Sequence, residues 1–118
     1  MTPNRKNQAL ATLIRELKQQ ASEQEASIWK RIATDLEKPT RQRRVVNVLS
    51  IDKHSKEDDV VIVPGKVLGV GELNHKVTVA ALAFSNEAKE KIDAKGKTMA
   101  IKELMTQHPK GEKVRILG

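Results

Sequence analysis

Three arginines, Arg41, Arg43 and Arg44, fall within four consecutive residues. Lys53, His54 and Lys56 follow, and from Lys38 to Lys56 six Lys or Arg residues stand against one acid, Asp52. A guanidinium is a planar fork of donors that matches a phosphate through two hydrogen bonds. An Arg-rich, acid-poor linker beside a rigid element therefore suits a polyanion; the alternative is a solvated linker held open by its own charge. The second candidate is the run Pro64-Gly65-Lys66-Val67-Leu68-Gly69-Val70-Gly71, followed closely by His75 and Lys76. Its three glycines, Gly65, Gly69 and Gly71, let backbone approach another backbone or a phosphate, and Lys66 adds a point charge. A glycine-rich turn joining two strands and a phosphate-contacting loop fit this run equally well.

Sharper chemistry fails on spacing. A nucleotide-binding P-loop needs Ser or Thr after its Lys at the start of a helix, whereas Lys66 is followed by Val67 and Leu68. A dinucleotide fingerprint also needs a helix behind its glycines. His54, His75 and His108 have no carboxylate at metal-ligand spacing, and no metal or cofactor is expected. Asp58-Asp59 precedes a strand and reads as a turn, and Ser50 and Ser55 have no recognisable base partner in the sequence. With no Cys, thiolate chemistry and disulfides are excluded. A non-enzymatic role is expected.

The elements that must carry these residues belong to a chain of 118 residues, read as one domain. Its formal net charge is +7, which favours polyanionic partners. Trp29 and Phe84 are its aromatic residues, so the core is aliphatic and platforms for stacking single-stranded bases are lacking. Binding through backbone charge and shape is therefore expected. No leader-like apolar stretch follows Met1 and no apolar run approaches membrane-spanning length, so a soluble, cytoplasmic protein is expected.

Leu10, Leu13, Ile14, Leu17 and Ala21 form the stripe of a first helix. Ser22 and Glu25 have capping-box spacing, which predicts a fresh start into a second helix with Trp29, Ile32, Ala33 and Leu36 buried and a stop at Pro39. The pair predicts a helical hairpin. Val45-Val46-Asn47-Val48-Leu49, residues 60–63 and Val77 to Phe84 predict three strands. Ser85 caps a third helix ended by Gly96; Ile101, Leu104 and Met105 mark a fourth stopped by Pro109; Val114-Arg115-Ile116-Leu117 closes the sheet as an edge strand. The reading is a single mixed α/β domain: residues 1–7 a mobile basic tail with Arg5 and Lys6, 8–38 a helical arm, 44–118 the α/β core.

Taken in order, Val61-Ile62-Val63-Pro64-Gly65-Lys66-Val67-Leu68-Gly69-Val70-Gly71-Glu72-Leu73 and His75-Lys76-Val77-Thr78-Val79-Ala80-Ala81 resemble a known family. Support comes from Ile28-Trp29-Lys30, Leu36-Glu37-Lys38-Pro39, Arg41-Gln42-Arg43, Val46-Asn47-Val48, Phe84-Ser85 with Ala88, and His108-Pro109-Lys110-Gly111 before Val114-Arg115-Ile116. The chain resembles the archaeal and eukaryotic large-subunit ribosomal protein family conventionally numbered eighteen, a relative of bacterial large-subunit protein fifteen, from about Leu10 onward. Asp52-Lys53-His54-Ser55 departs from the family's usual Asn, Arg, Tyr and Thr, which puts an aromatic contact there in doubt, and His108 stands where Asn is usual.

The resemblance implies a structural constituent of the large ribosomal subunit, a ribonucleoprotein component in translation, with ribosomal RNA and neighbouring ribosomal proteins as partners. It implies no catalytic residue, no cofactor, no small-molecule substrate and no membrane. The shortness of the chain is expected of archaeal members, and its positive charge of a non-halophilic source. The expected contact set is Arg41, Arg43 and Arg44 on phosphates; Lys53, His54 and Lys56 in the following loop; Gly65, Gly69 and Gly71 close to an RNA groove with Lys66, His75 and Lys76 beside it; and Arg5 and Lys6 ordering on RNA. The rival readings are a stand-alone protein-interaction domain using an exposed helical hairpin, and a small hydrolase or nucleotide-binding enzyme.

Overall fold

The computed structural model describes residues 5–38, 44–111 and 114–117, with the side chains of 5–9 and 44 excepted. The chain runs α1 (Arg5–Glu23), α2 (Ser27–Glu37), β1 (Arg44–Asn47), α3 (Val48–His54), β2 (Asp59–Leu68), β3 (Val77–Phe84), α4 (Asn86–Lys95), β4 (Lys97–Ala100), α5 (Ile101–Gln107) and β5 (Val114–Ile116). All strand pairings are parallel. β2 is the spine: β3 lies along one side, while the other side is shared by β5, against Val60 to Ile62, and β1, against Gly65 to Leu68. β4 pairs with β3.

A strand covered on both faces must be apolar at successive positions, and residues 60–63 are. Ile62 faces a cluster with Leu17, Trp29, Ile32, Ala33, Leu36, Leu104 and Met105 from α1, α2 and α5. Val61 and Val63 face the opposite cluster with Val48, Ile51, Ala88 and Ile92 from α3 and α4. The result is a helix–sheet–helix sandwich, as expected of a mixed α/β domain.

The helical hairpin is present; the stripe of α2 is fully buried, while Leu10, Leu13, Ile14 and Ala21 of α1 are half-buried against the same cluster. Trp29, Ile32, Ala33 and Leu36 are all fully buried. Trp29 Nε1 donates to the Pro109 carbonyl at 2.7 Å, and Gln20 Nε2 donates to the Met105 and Pro109 carbonyls at 2.9 and 3.1 Å. A protein-interaction domain using the exposed helical hairpin would have to use its outward face, where Arg15, Lys18, Gln19, Lys30, Arg31 and Thr34 are exposed.

Several local expectations are corrected. The Ser22–Glu25 capping box does not form: Ser22 lies inside α1, and α2 starts at Ser27 with Ala26 as an N-cap that makes no side-chain bond. The break is made instead by Glu25 in the left-handed region (φ 51°). Helix α1 begins at Arg5, three residues before the expected arm. Val48 and Leu49, expected in a strand, open helix α3. The strand β4 was not anticipated. The Ser85 cap is as expected, its hydroxyl accepting from the Ala88 amide at 3.2 Å, and Gly96 follows α4 as its C-cap. No helix among the described residues is long and apolar enough to cross a membrane.

Candidate nucleic-acid interface

The glycine run is largely not a loop. β2 continues through Pro64, Gly65 and Lys66 to Leu68 with a bulge between Val63 and Lys66. Proline lacks the N–H a regular ladder requires, and the bulge is where a strand tolerates it. The register then sets Arg44 beside Gly65 and Val45 beside Lys66. Arg44 and the glycine motif, some twenty positions apart in sequence, thus meet on adjacent strands. Arg41 and Arg43 lie outside the described residues, and Arg44 is placed by its backbone. Lys66 is exposed, with no ion-pair or hydrogen-bond partner among the described residues, and Val45 and Val70 beside the run are also exposed.

Gly69 and Gly71 have internal reasons to be glycine. A Cβ on Gly69 would sit 2.6 Å from Glu87 Cγ and 2.9 Å from the Ala88 amide of α4. Gly71 has φ +98°, and a Cβ there would meet Leu49 at 2.5 Å. Their carbonyls are tied down too: Lys91 Nζ donates to both Gly69 O and Gly71 O at 2.7 Å, and the Leu49 amide donates to Val70 O at 3.0 Å. Lys91 gave no signal in the sequence, because one Lys on a polar helix resembles any other.

The β2–β3 connection carries no helix. Residues 69–76 instead form a strap that follows α3: Gly71 packs on Leu49, Asn74 bonds Asp52, and His75 meets Ser55. Asp52 Oδ1 accepts from the Asn74 amide at 2.9 Å and Oδ2 from the Asn74 carboxamide at 3.1 Å. His75 Nδ1 lies 3.2 Å from Asp52 Oδ1 and its Nε2 lies 2.9 Å from Ser55 Oγ.

An Asp–His–Ser chain of this kind was not legible from the sequence, which gave Ser55 no base partner. Its hydrogen bonding runs against nucleophile activation. Ser55 is buried and its hydroxyl donates to the Ile51 carbonyl, so its proton is committed to the end of α3 and not aimed at His75. The cluster fastens the strap to α3. Both ring nitrogens of His75 thus face internal partners, while His54 Nδ1 lies 2.9 Å from Ser50 O of its own helix.

The Asn74 backbone amide, helped by the Asn74 carboxamide and His75, holds the Asp52 carboxyl below its ordinary range against a smaller opposing effect of burial. A depressed carboxyl contributes stability above its unfolded value and loses it as pH falls through the folded one. The urea-midpoint gap between the wild-type chain and Asp52→Asn should therefore be constant above about pH 5 and close in acid. A gap that opens or closes only above the ordinary carboxylate range, or that widens as pH falls through it, would show that Asp52 is not held this way.

The remaining basic residues collect at the other end of the sheet. β2 spans ten residues, roughly 30 Å at strand spacing. Lys53 and His54 close the last turn of α3, where the helix dipole favours positive charge. Lys56 follows, its amide donating to Asp59 Oδ2 at 2.8 Å, and Lys76 stands just before β3 with Asp58 3.9 Å away. Lys53, Lys56 and Lys76 are exposed. Asp58 is a turn residue with φ 67°, and Asp59 opens β2, its amide donating to Lys56 O at 3.1 Å. The structure thus brings Arg44, Gly65 and Lys66 together and, separately, Lys53, Lys56 and Lys76, joined by the α3–strap unit. Arg5 and Lys6 fall in the first turn of α1.

A family model described as ribosomal proteins 50S-L15, 50S-L18e and 60S-L27a matches residues 25–99. The chain is 44% identical to large ribosomal subunit protein eL18 of Methanothermobacter thermautotrophicus over 94% of its own length and 93% of the relative's. It is 48% identical to the eL18 of Methanospirillum hungatei over 97% and 95% of the two chains. It is 52% identical to that of Sulfurisphaera tokodaii over 71% of each. The α/β sandwich, its bulged glycine strand and this near full-length similarity agree: the chain belongs to the family of ribosomal proteins that includes 50S-L15 and 50S-L18e.

Proposed function

We propose that this chain is a structural constituent of the large ribosomal subunit that grips ribosomal RNA with its basic linker and the strand beside it, without catalysis. The observation that carries the reading is the β1–β2 register, which sets the end of the Arg41–Arg43–Arg44 cluster against Gly65 and exposed Lys66. Phosphate contacts of this kind supply affinity independent of sequence. Choice of RNA comes from the rigid shape presented by β2, the strap and α3, as is usual where aromatic stacking platforms are scarce. Gly69, Gly71 and His75 hold that shape from within, and Lys53, Lys56 and Lys76 extend the contact along α3. The names of the relatives, all large ribosomal subunit proteins, support the assignment of the particle.

Sedimentation checks it. Tagged chain expressed in an archaeal host should travel with the large subunit through a sucrose gradient at moderate salt and be released at high salt. Recovery at the top of the gradient, or with the small subunit, would overturn the assignment.

A further inference from the structure

A second set of polar side chains lies on the opposite face of the sheet, where the α1–α2 turn meets the α5–β5 turn. Gln24, Gln107, His108, Pro109 and Lys110 line an open cavity of about 360 Å³. That volume lies within the range of small-ligand clefts, about 300–1,000 Å³. None of the lining residues among the described ones is acidic. Four of the side chains carry polar groups, the carboxamides of Gln24 and Gln107, the His108 imidazole and the Lys110 ammonium. None of these has a hydrogen-bond or ion-pair partner among the described residues.

The wall bearing them is fixed. The Pro109 carbonyl accepts from both Trp29 Nε1 and Gln20 Nε2. The His108 amide donates to Leu104 O at 2.8 Å and the Gly111 amide to His108 O at 2.8 Å. Gly111, at φ +66°, lies so close to α2 that a Cβ would stand 2.3 Å from Ile28 Cγ2. The backbone has spent its hydrogen bonds on holding the turn, and the side chains that face the cavity are left free.

We propose that this cavity receives one unpaired nucleotide of ribosomal RNA, a contact separate from the basic linker. Carboxamides pair a donor with an acceptor at the spacing of a base edge, as Asn and Gln do when they read adenine. An imidazole face offers a stacking surface for an extruded base. One ammonium matches the single charge that each nucleotide of a chain carries, whereas a free nucleoside triphosphate would call for more cations. The inference rests on the ribosomal RNA reading and adds base recognition to a protein otherwise argued to read shape.

The test uses the full chain and folded large-subunit ribosomal RNA, with filter binding and base-specific chemical modification as readouts. Gln24→Ala combined with Gln107→Ala should lower affinity about tenfold and expose one unpaired nucleotide to modification, leaving the salt slope unchanged. Lys110→Gln should reduce that slope by about one. Circular dichroism of each variant confirms the fold. If the double variant binds and protects as the wild type does, while neutralising the arginine cluster still weakens binding, the cavity proposal is wrong and the linker proposal stands. If the wild-type chain fails to bind the RNA at all, both fall together.

Discussion

Trp29→Ala should destabilise the fold by about 3–5 kcal/mol, the range for truncating a buried aromatic. That is a large share of the roughly 5–15 kcal/mol that keeps a domain folded. Trp29 is fully buried among Leu17, Ile32 and Leu104, and its indole is the hinge pin between the hairpin and the α5–β5 turn. Trp29→Phe separates the two contributions. It retains most of the packing and removes the hydrogen bond, but Pro109 O keeps Gln20 as a donor at 3.1 Å. Its hydrogen-bond cost should therefore sit near the low end of about 0.5–1.5 kcal/mol, with any residual cavity adding to it. Urea unfolding followed by circular dichroism measures both, since Trp29 is the only tryptophan and cannot report on its own removal. An Ala variant within about 1 kcal/mol of wild type would show that the hairpin does not depend on this anchor.

Arg41→Ala, Arg43→Ala and Arg44→Ala together should weaken binding to ribosomal RNA roughly a hundredfold near 0.1 M salt. They should also flatten the dependence of log K on log salt by about two to three units. Each lost phosphate contact removes about 0.7–0.9 from that slope, so the size of the change counts the contacts. Replacement by three lysines should restore most of the slope and less of the affinity, because an ammonium keeps the charge and loses the bidentate fork. Filter binding across a salt series gives both numbers. An unchanged slope in the Ala variant would place the cluster away from phosphate.

Legibility in the sequence followed the length of each signal. α1 and α2 carry apolar stripes over several turns, and residues 60–63 form a run that only a strand buried on both faces requires. α3 has seven residues and two fully buried positions, Val48 and Ile51. Its first residues also continue the β-branched run of β1, so no helical period could emerge. β4 has four residues with one buried side chain, Met99, too few to show alternation. The glycine motif was conspicuous, but its role was open, because glycine types do not reveal whether the close neighbour is RNA or the protein itself. At Gly69 and Gly71 the neighbours on the Cβ side are Glu87, Ala88 and Leu49. The Asp52–His75–Ser55 clasp was hidden because His75 lies twenty or more positions from Asp52 and Ser55 and meets them only when the strap lies down along α3.

The strap also explains how a small, almost non-aromatic domain can present a defined surface. A helical crossover would satisfy its own polar backbone; this extended one is satisfied by Lys91, Leu49, Asp52 and the Asp58 amide. Side chains of the basic residues can then project from a backbone whose position is fixed, which is what recognition of shape requires.

The most direct test of the account is competition between folded large-subunit ribosomal RNA and an unrelated structured RNA of equal length, measured for the wild-type chain over a range of salt. Charge supplying affinity and the fold supplying choice predicts that binding to both falls steeply with salt while the preference for ribosomal RNA persists or grows. Equal binding of the two RNAs at every salt concentration would contradict it and leave the basic surface as a general polyanion binder.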